Sequence, residues 1–197
     1  MKISSFKLAT AGLLLIGLES TALQANDFYM GADYVQESNS FTYTYRGTDH
    51  DRDNDAKGFK IKLGYEYANS WKLQGYFKHL SYDETVYGGS EDSDSLNEIG
   101  LDIIKGFAIT PKFTPFLQVG LASGWVSLDD NLYTDSTALE INGKVGAGLA
   151  YKIIKNVEIL GGVDFKYTKW QSVELLRGTL DISETTTQFY AGVNVYF

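Results

Sequence analysis

The hydrophobic positions of this chain recur with a period of two. In Lys57 to Tyr67, Phe59, Ile61, Leu63, Tyr65 and Tyr67 share one face, while Gly58, Lys60, Lys62, Gly64 and Glu66 share the other. A β-strand sends alternate side chains to opposite faces, so such a segment is an amphipathic strand. The division recurs in Leu139 to Tyr151, in Val157 to Tyr167 with Leu160 as the one exception, and in Gln188 to Phe197. Asp27 to Val35, Trp71 to Tyr82, Leu96 to Phe107 and Phe113 to Trp125 follow it less cleanly, for eight predicted strands. No long segment repeats at 3.6.

Alternation alone does not say whether the apolar face meets a core or a lipid. Connection lengths separate the two. Short links (Ala68 to Ser70, Ala108 to Lys112, Lys152 to Asn156) alternate with long polar ones at 36–57, 83–95, 126–138 and 171–184. Short turns at one end and long loops at the other is the layout of an antiparallel up-and-down transmembrane β-barrel, with both termini and the short turns periplasmic. The long connections carry 16 acids against four bases, Arg46, Arg52, Lys57 and Arg177. On the apolar face, Phe28, Tyr67, Trp71, Phe107, Phe113, Tyr151 and Phe197 fall at the short-turn end. Tyr34, Phe59, Phe77, Trp125 and Tyr167 fall toward the loops. Two aromatic girdles are what two membrane interfaces select.

The N-terminus reads as a secretory signal peptide over residues 1–25: Lys2 and Lys7, an apolar run from Leu8 to Leu18, and a small-residue site ending at Ala25. The barrel domain is then 26–197. Cleavage removes Lys2, Lys7 and Glu19 and takes the net charge from −8 to −9. That acidity argues against nucleic acid as a partner, since phosphates demand a basic face. With no Cys in the chain, disulfides, thiolate metal sites and a lipidated N-terminal Cys are excluded. No cofactor is expected.

The closing segment, Gln188-Phe-Tyr-Ala-Gly-Val-Asn-Val-Tyr-Phe197, resembles the last strand of the OmpA/OmpX-type small barrels and the related opacity-type surface proteins. The resemblance spans the whole chain after the signal peptide. It implies an outer-membrane location, with lipid and lipopolysaccharide as surroundings, and makes Val193, Val195 and Phe197 the signal read by the barrel-assembly machinery. It does not imply an activity, because one fold hosts many functions.

If the apolar face meets lipid, the other face fills the lumen, which in an eight-stranded barrel is just wide enough for side chains. The inward set holds Asp27, Asp33, Glu66, Glu98, Asp102, Glu140, Glu158 and Asp164 with Lys60, Lys62, Lys72, Lys78, Lys144 and Lys166. Charges so confined must pair. The expectation is a polar plug of ion pairs and water, with Gly64, Gly100, Gly146 and Gly192 making room for the lysine chains. Nearly balanced charge fits a closed plug better than a selective pore, which lines up one sign.

Two motifs carry candidate chemistry. His79-Leu80-Ser81 matches the His-x-Ser pair that lipid A deacylase barrels use on their lipid face. Tyr82 stands where that family has an Asn, and only Glu84 or Glu91 is near enough in sequence to orient the His. Asp49, Asp51, Asp53 and Asp55 are spaced like the carboxylates of a calcium loop, but Ala56 and Lys62 stand where its turn glycine and closing Glu belong. A solvated acidic loop that touches a host or other surface, or bridges to lipopolysaccharide through Mg²⁺ or Ca²⁺, is the plainer expectation. The reading is a non-enzymatic surface or envelope-integrity protein. A small porin-like channel is the second choice, and a lipid A modifying enzyme the third.

Overall fold

The structure, a computed structural model, describes residues 28–45, 47–84, 86, 94–127, 137–175 and 178–197. The expected signal peptide, Asp27 and Glu91 lie outside them.

The described strands are β1 (Phe28–Tyr45), β2 (Thr48–Tyr67), β3 (Trp71–Tyr82), β4 (Ser95–Gly106), β5 (Phe113–Ser127), β6 (Thr137–Ile154), β7 (Val157–Trp170), β8 (Val173–Leu175) and β9 (Gly178–Tyr196). Each pairs antiparallel with the next around the ring, and β1 closes it on β9 through a ladder from Tyr29↔Tyr196 to Tyr45↔Leu180. Eight long strands form the wall. The three-residue β8 pairs only with the start of β9 and continues the line of β7. The last residue is tied in as well, since Phe197 N donates to Phe28 O at 2.9 Å.

Period two sets which side chains face out. On β1 the apolar Phe28, Met30 and Tyr34 are exposed while Tyr29, Asp33 and Val35 are buried; β2 does the same with Ile61 and Leu63 against Lys60 and Lys62. At the short-turn end the outward aromatics touch one another: Phe28 and Tyr65 ring centroids lie 4.8 Å apart, Tyr65 and Tyr67 4.7 Å apart. The β2–β3 link is a tight turn whose Asn69 and Ser70 both have positive φ, 62° and 59°.

Three strands run much farther than expected. The segment 36–57, whose polarity predicts a loop, is strand at 36–45 and 48–57, with Gly47 in a turn. Most of 171–184 is likewise β8 and β9. Together β2, β1, β9 and β8 stand as a wall above one side of the barrel. Once a strand leaves the lipid its outward face no longer needs to be apolar, so polar residues such as Ser38, Ser40 and Thr42 mark the water line rather than the end of the strand.

Candidate functional site

The lumen is the first place to look for function, and its side chains form layers. Near the turn end Lys72 donates to Tyr196 Oη at 2.5 Å and pairs with Glu158 at 3.0 Å and Glu66 at 3.6 Å. Across the middle, Asp33 accepts from Lys60 at 3.0 Å and Lys62 at 2.5 Å, and Lys144 sits 3.0 Å from Asp102 and 3.9 Å from Asp164. Above it Lys78 bridges Glu37 at 2.6 Å and Glu98 at 3.1 Å, and Lys166 bridges the same two carboxylates at 3.2 and 3.7 Å. All of these groups but Glu66 are buried. Aromatic rings fill the space between them, with Lys144 Nζ 4.3 Å from the Tyr76 centroid and Lys60 Nζ 4.6 Å from that of Tyr190.

Every lumen residue expected from the sequence and described here is thus brought inside. Asp164 also accepts from Gln118 and Gln188. Glu140 is held by Asn142 Nδ2 at 3.1 Å and has no ion pair among the described residues. Two acids were missed. Glu37, which holds both upper lysines, and Glu184, which accepts from Trp170 Nε1 at 2.9 Å and from Thr186 at 2.9 Å, fall in segments read as loops.

The expected plug of ion pairs and water is incomplete as a description. Above the charged layers lies an apolar lid of Phe41, Leu80, Tyr82, Leu96, Val126 and Ile182, all buried and in one cluster with Trp170 and Val86. Tyr43 Oη donates to Val86 O at 2.9 Å and ties Val86 to the lid. The hydrophobic phase therefore inverts at the water line: within the lipid, apolar residues face out, and above it they face in. Below the lid, the cavity between Tyr29, Lys62, Phe116 and Glu158 offers about 20 Å³ of space to water. That is room for about one molecule.

The glycines also differ from expectation. Gly100 and Gly64 admit the rings of Tyr76 and Tyr29, and Gly146 and Gly192 face Asp164 and Asp33; it is Gly31 and Gly120 that receive the ends of Lys62 and Lys144.

The two candidate motifs lie outside the lumen. His79 is on the outward face of β3 near the water line, its Nδ1 2.9 Å from Asn97 Oδ1 and its ring 5.6 Å from that of Phe59. Ser81 shares that face, opposite Lys57 and Ser95. The described hydrogen bonds join His79 to Asn97 and not to Ser81, and Glu84 pairs with Arg52 at 2.6 Å instead of orienting the imidazole. That bond also raises the pKa of the Arg52 guanidinium. Asp49, Asp51, Asp53 and Asp55 are on β2, not in a loop, and all point outward. Alternate residues of a strand are roughly 7 Å apart, so the four carboxylates form a column and do not converge on one ion. No group of three or more potential metal ligands converges among the described residues.

The profile of the family described as outer membrane protein beta-barrel domain matches residues 8–197. Among solved structures, the crystal structure of Neisserial surface protein A aligns with 89% of this chain and 100% of its own, at 20% identity and a TM-score of 0.57. OprG from Pseudomonas aeruginosa aligns over 88% and 97% of the two chains, at 13% identity and a TM-score of 0.53. The solution structure of OprH from the same organism aligns over 87% and 99%, at 14% identity and a TM-score of 0.53. Likeness at these identities establishes a shared fold. No curated protein matches the chain.

Proposed function

Since the chain belongs to the outer membrane protein beta-barrel domain family and is an outer-membrane protein, we propose that it works as a sealed scaffold that displays a β-wall on the cell surface. Its role on this reading is adhesion or envelope integrity, without catalysis and without a pore. The wall of β2, β1, β9 and β8 is the exposed, strand-built part that a partner can reach. The observation that carries the reading is the lumen: three layers of paired charges under an apolar lid occupy the space that a channel would need.

Burial makes the sealed state stable against opening. A charge taken from its partner inside the barrel loses several kcal/mol, which opposes any fluctuation that would separate Lys78 from Glu37. A channel would have to break all three charged layers and the lid together. Orientation follows from the connections, with short turns and termini toward the periplasm and the wall outside. Export by the 1–25 signal peptide and recognition of Val193, Val195 and Phe197 by the assembly machinery complete the proposal.

The test is a hairpin variant in which residues 42–51 are replaced by Asn-Gly. Surface binding by cells that display the chain should fall at least tenfold while the barrel still assembles. Equal binding by the shortened protein would contradict the reading. The deacylase alternative is decided by mass spectrometry of lipid A from cells with and without the protein, repeated with His79→Ala; an unchanged acylation pattern is expected.

A further inference from the structure

The charges of the lumen do not balance layer by layer. The middle layer is even, with Asp33, Asp102 and Asp164 against Lys60, Lys62 and Lys144. The upper layer is not. Its two bases, Lys78 and Lys166, are both taken up by Glu37 and Glu98. Glu140 on β6 and Glu184 on β9 are two further carboxyls, 3% and 1% exposed, with no ion pair among the described residues. Both stand against Trp170 of β7: Glu140 is its register partner, and Glu184 accepts from its Nε1 at 2.9 Å. Next along the ladder, Thr168 pairs with Asn142 on one side and Glu184 on the other, and Asn142 Nδ2 donates to Glu98 at 2.8 Å and to Glu140 at 3.1 Å.

The leftover polar atoms point the same way. Glu140 Oε2, Asn142 Oδ1, Thr168 Oγ1 and, from β3, Tyr82 Oη are buried without a hydrogen-bond partner among the described residues. An ionised Glu140 only adds an acceptor to this group, whereas a carboxylic acid brings a donor. The remaining strands supply no counter-charge: β2 and β5 present Ala56, Gly58, Ala122 and Gly124 at this height, and Lys60 turns to Asp33 in the layer below. The apolar lid closes the layer from above, and no group of three or more potential metal ligands converges among the described residues. A buried carboxyl without a counter-ion keeps its proton rather than its charge. At Glu184, above the membrane belt, burial raises the pKa against the pull of Lys166.

We propose that Glu140 and Glu184 form a buried proton-binding site that holds at least one proton at neutral pH and ties the stability of the barrel and its lid to pH. The proton is taken from water as the carboxyls are buried and returned to it when unfolding hydrates them. Above the ordinary carboxylate range the unfolded chain then binds fewer protons than the folded one. Stability is therefore greatest in mild acid, falls as the pH rises, and levels off once the pH passes the folded-state pKa. The inference rests on the charge count of the upper layer, not on what the outer wall binds.

The test uses the full folded protein in an ester-free detergent. Between about pH 6 and pH 8 ordinary carboxyls are ionised in both states. Over that range the unfolding equilibrium constant in urea should rise about tenfold per pH unit for each proton held. The double variant Glu140→Gln, Glu184→Gln should lose this dependence and match or exceed the parent midpoint at the upper pH, because Gln copies the shape of the protonated acid. The infrared carbonyl band of a protonated carboxyl group, recorded at neutral pH, should be present in the parent and absent from the double variant. If the double variant does not fold, the band in the parent and its weakening in either single variant decide the case. A parent without the band, or a pH dependence that the substitutions leave unchanged, overturns the proposal. So does an unfolding midpoint that shifts when K⁺ replaces Na⁺, which would assign the neutralising charge to a metal cation.

Discussion

Lys78 donates a 2.6 Å hydrogen bond to Glu37, 41 residues away in the chain, and both are fully buried inside the barrel. The same carboxylate takes Lys166 at 3.2 Å, so one acid from β1 holds two lysines from β3 and β7. Removing it leaves both buried lysines to share Glu98 alone, at 3.1 and 3.7 Å. Glu37→Gln is expected to destabilise the barrel by about 3–5 kcal/mol, because one carboxylate then faces two buried cations. Urea unfolding in detergent, followed by the shift between folded and unfolded gel bands, measures this. A Glu37→Leu, Lys78→Met pair should be less damaging than Glu37→Leu alone.

The lid makes a separate contribution. Leu80 is fully buried in the cluster that contains Phe41, Leu96 and Val126. Leu80→Ala should cost about 2–5 kcal/mol through lost burial and a residual cavity. It should leave the barrel non-conducting, because the charged layers beneath are untouched. Denaturant midpoint and bilayer conductance on one preparation check both statements.

Gly100 lies against the Tyr76 ring, and a Cβ there would come 2.5 Å from the Tyr76 hydroxyl, which donates to Glu98 at 2.8 Å. Gly100→Ala should therefore destabilise by about 1–3 kcal/mol through overpacking. Because the Tyr76 ring carbon Cζ would lie equally close, at 2.5 Å, the double variant Gly100→Ala, Tyr76→Phe should not recover the loss. Equal melting points for Gly100→Ala and the parent protein would contradict the packing argument.

The family and the register of the membrane belt were legible because lipid imposes a strict rule: within it, every outward position from Leu63 to Phe59 or from Phe197 to Phe189 must be apolar or small. Glu37 and Glu184 were not, and the reason is physical. Above the belt both faces of β1 and β9 are wetted or capped, the outward side turns to Ser and Thr, and the contrast that marks a strand disappears. One signal survives there. Phe41 and Tyr43 on β1, and Leu180 and Ile182 on β9, keep period two in the opposite phase to Tyr34 and Phe189. An apolar alternation that changes phase within one strand marks the place where a barrel strand leaves the lipid and its inner face becomes a core. The aspartate column illustrates the same limit: a spacing of two suits a calcium loop and a strand equally, and only the pairing with Ser38 to Thr44 decides between them.

Assembly offers a prediction independent of the lumen. Phe197 lies beside the seam, its amide bonded to Phe28 O, and its ring faces outward. Deletion of Phe197 should reduce the amount of protein reaching the outer membrane severalfold, while the purified chain still refolds in detergent. Fractionation of cells and refolding yield separate the two effects.

The claim on which the account turns is that the lumen is shut by paired charges under an apolar lid. Single-channel recording of the purified, folded protein in planar bilayers tests it most directly. A flat baseline at either polarity is expected, with conductance steps appearing only when Glu37→Gln is combined with Leu80→Ala. Steady ohmic steps from the unmodified protein would contradict it.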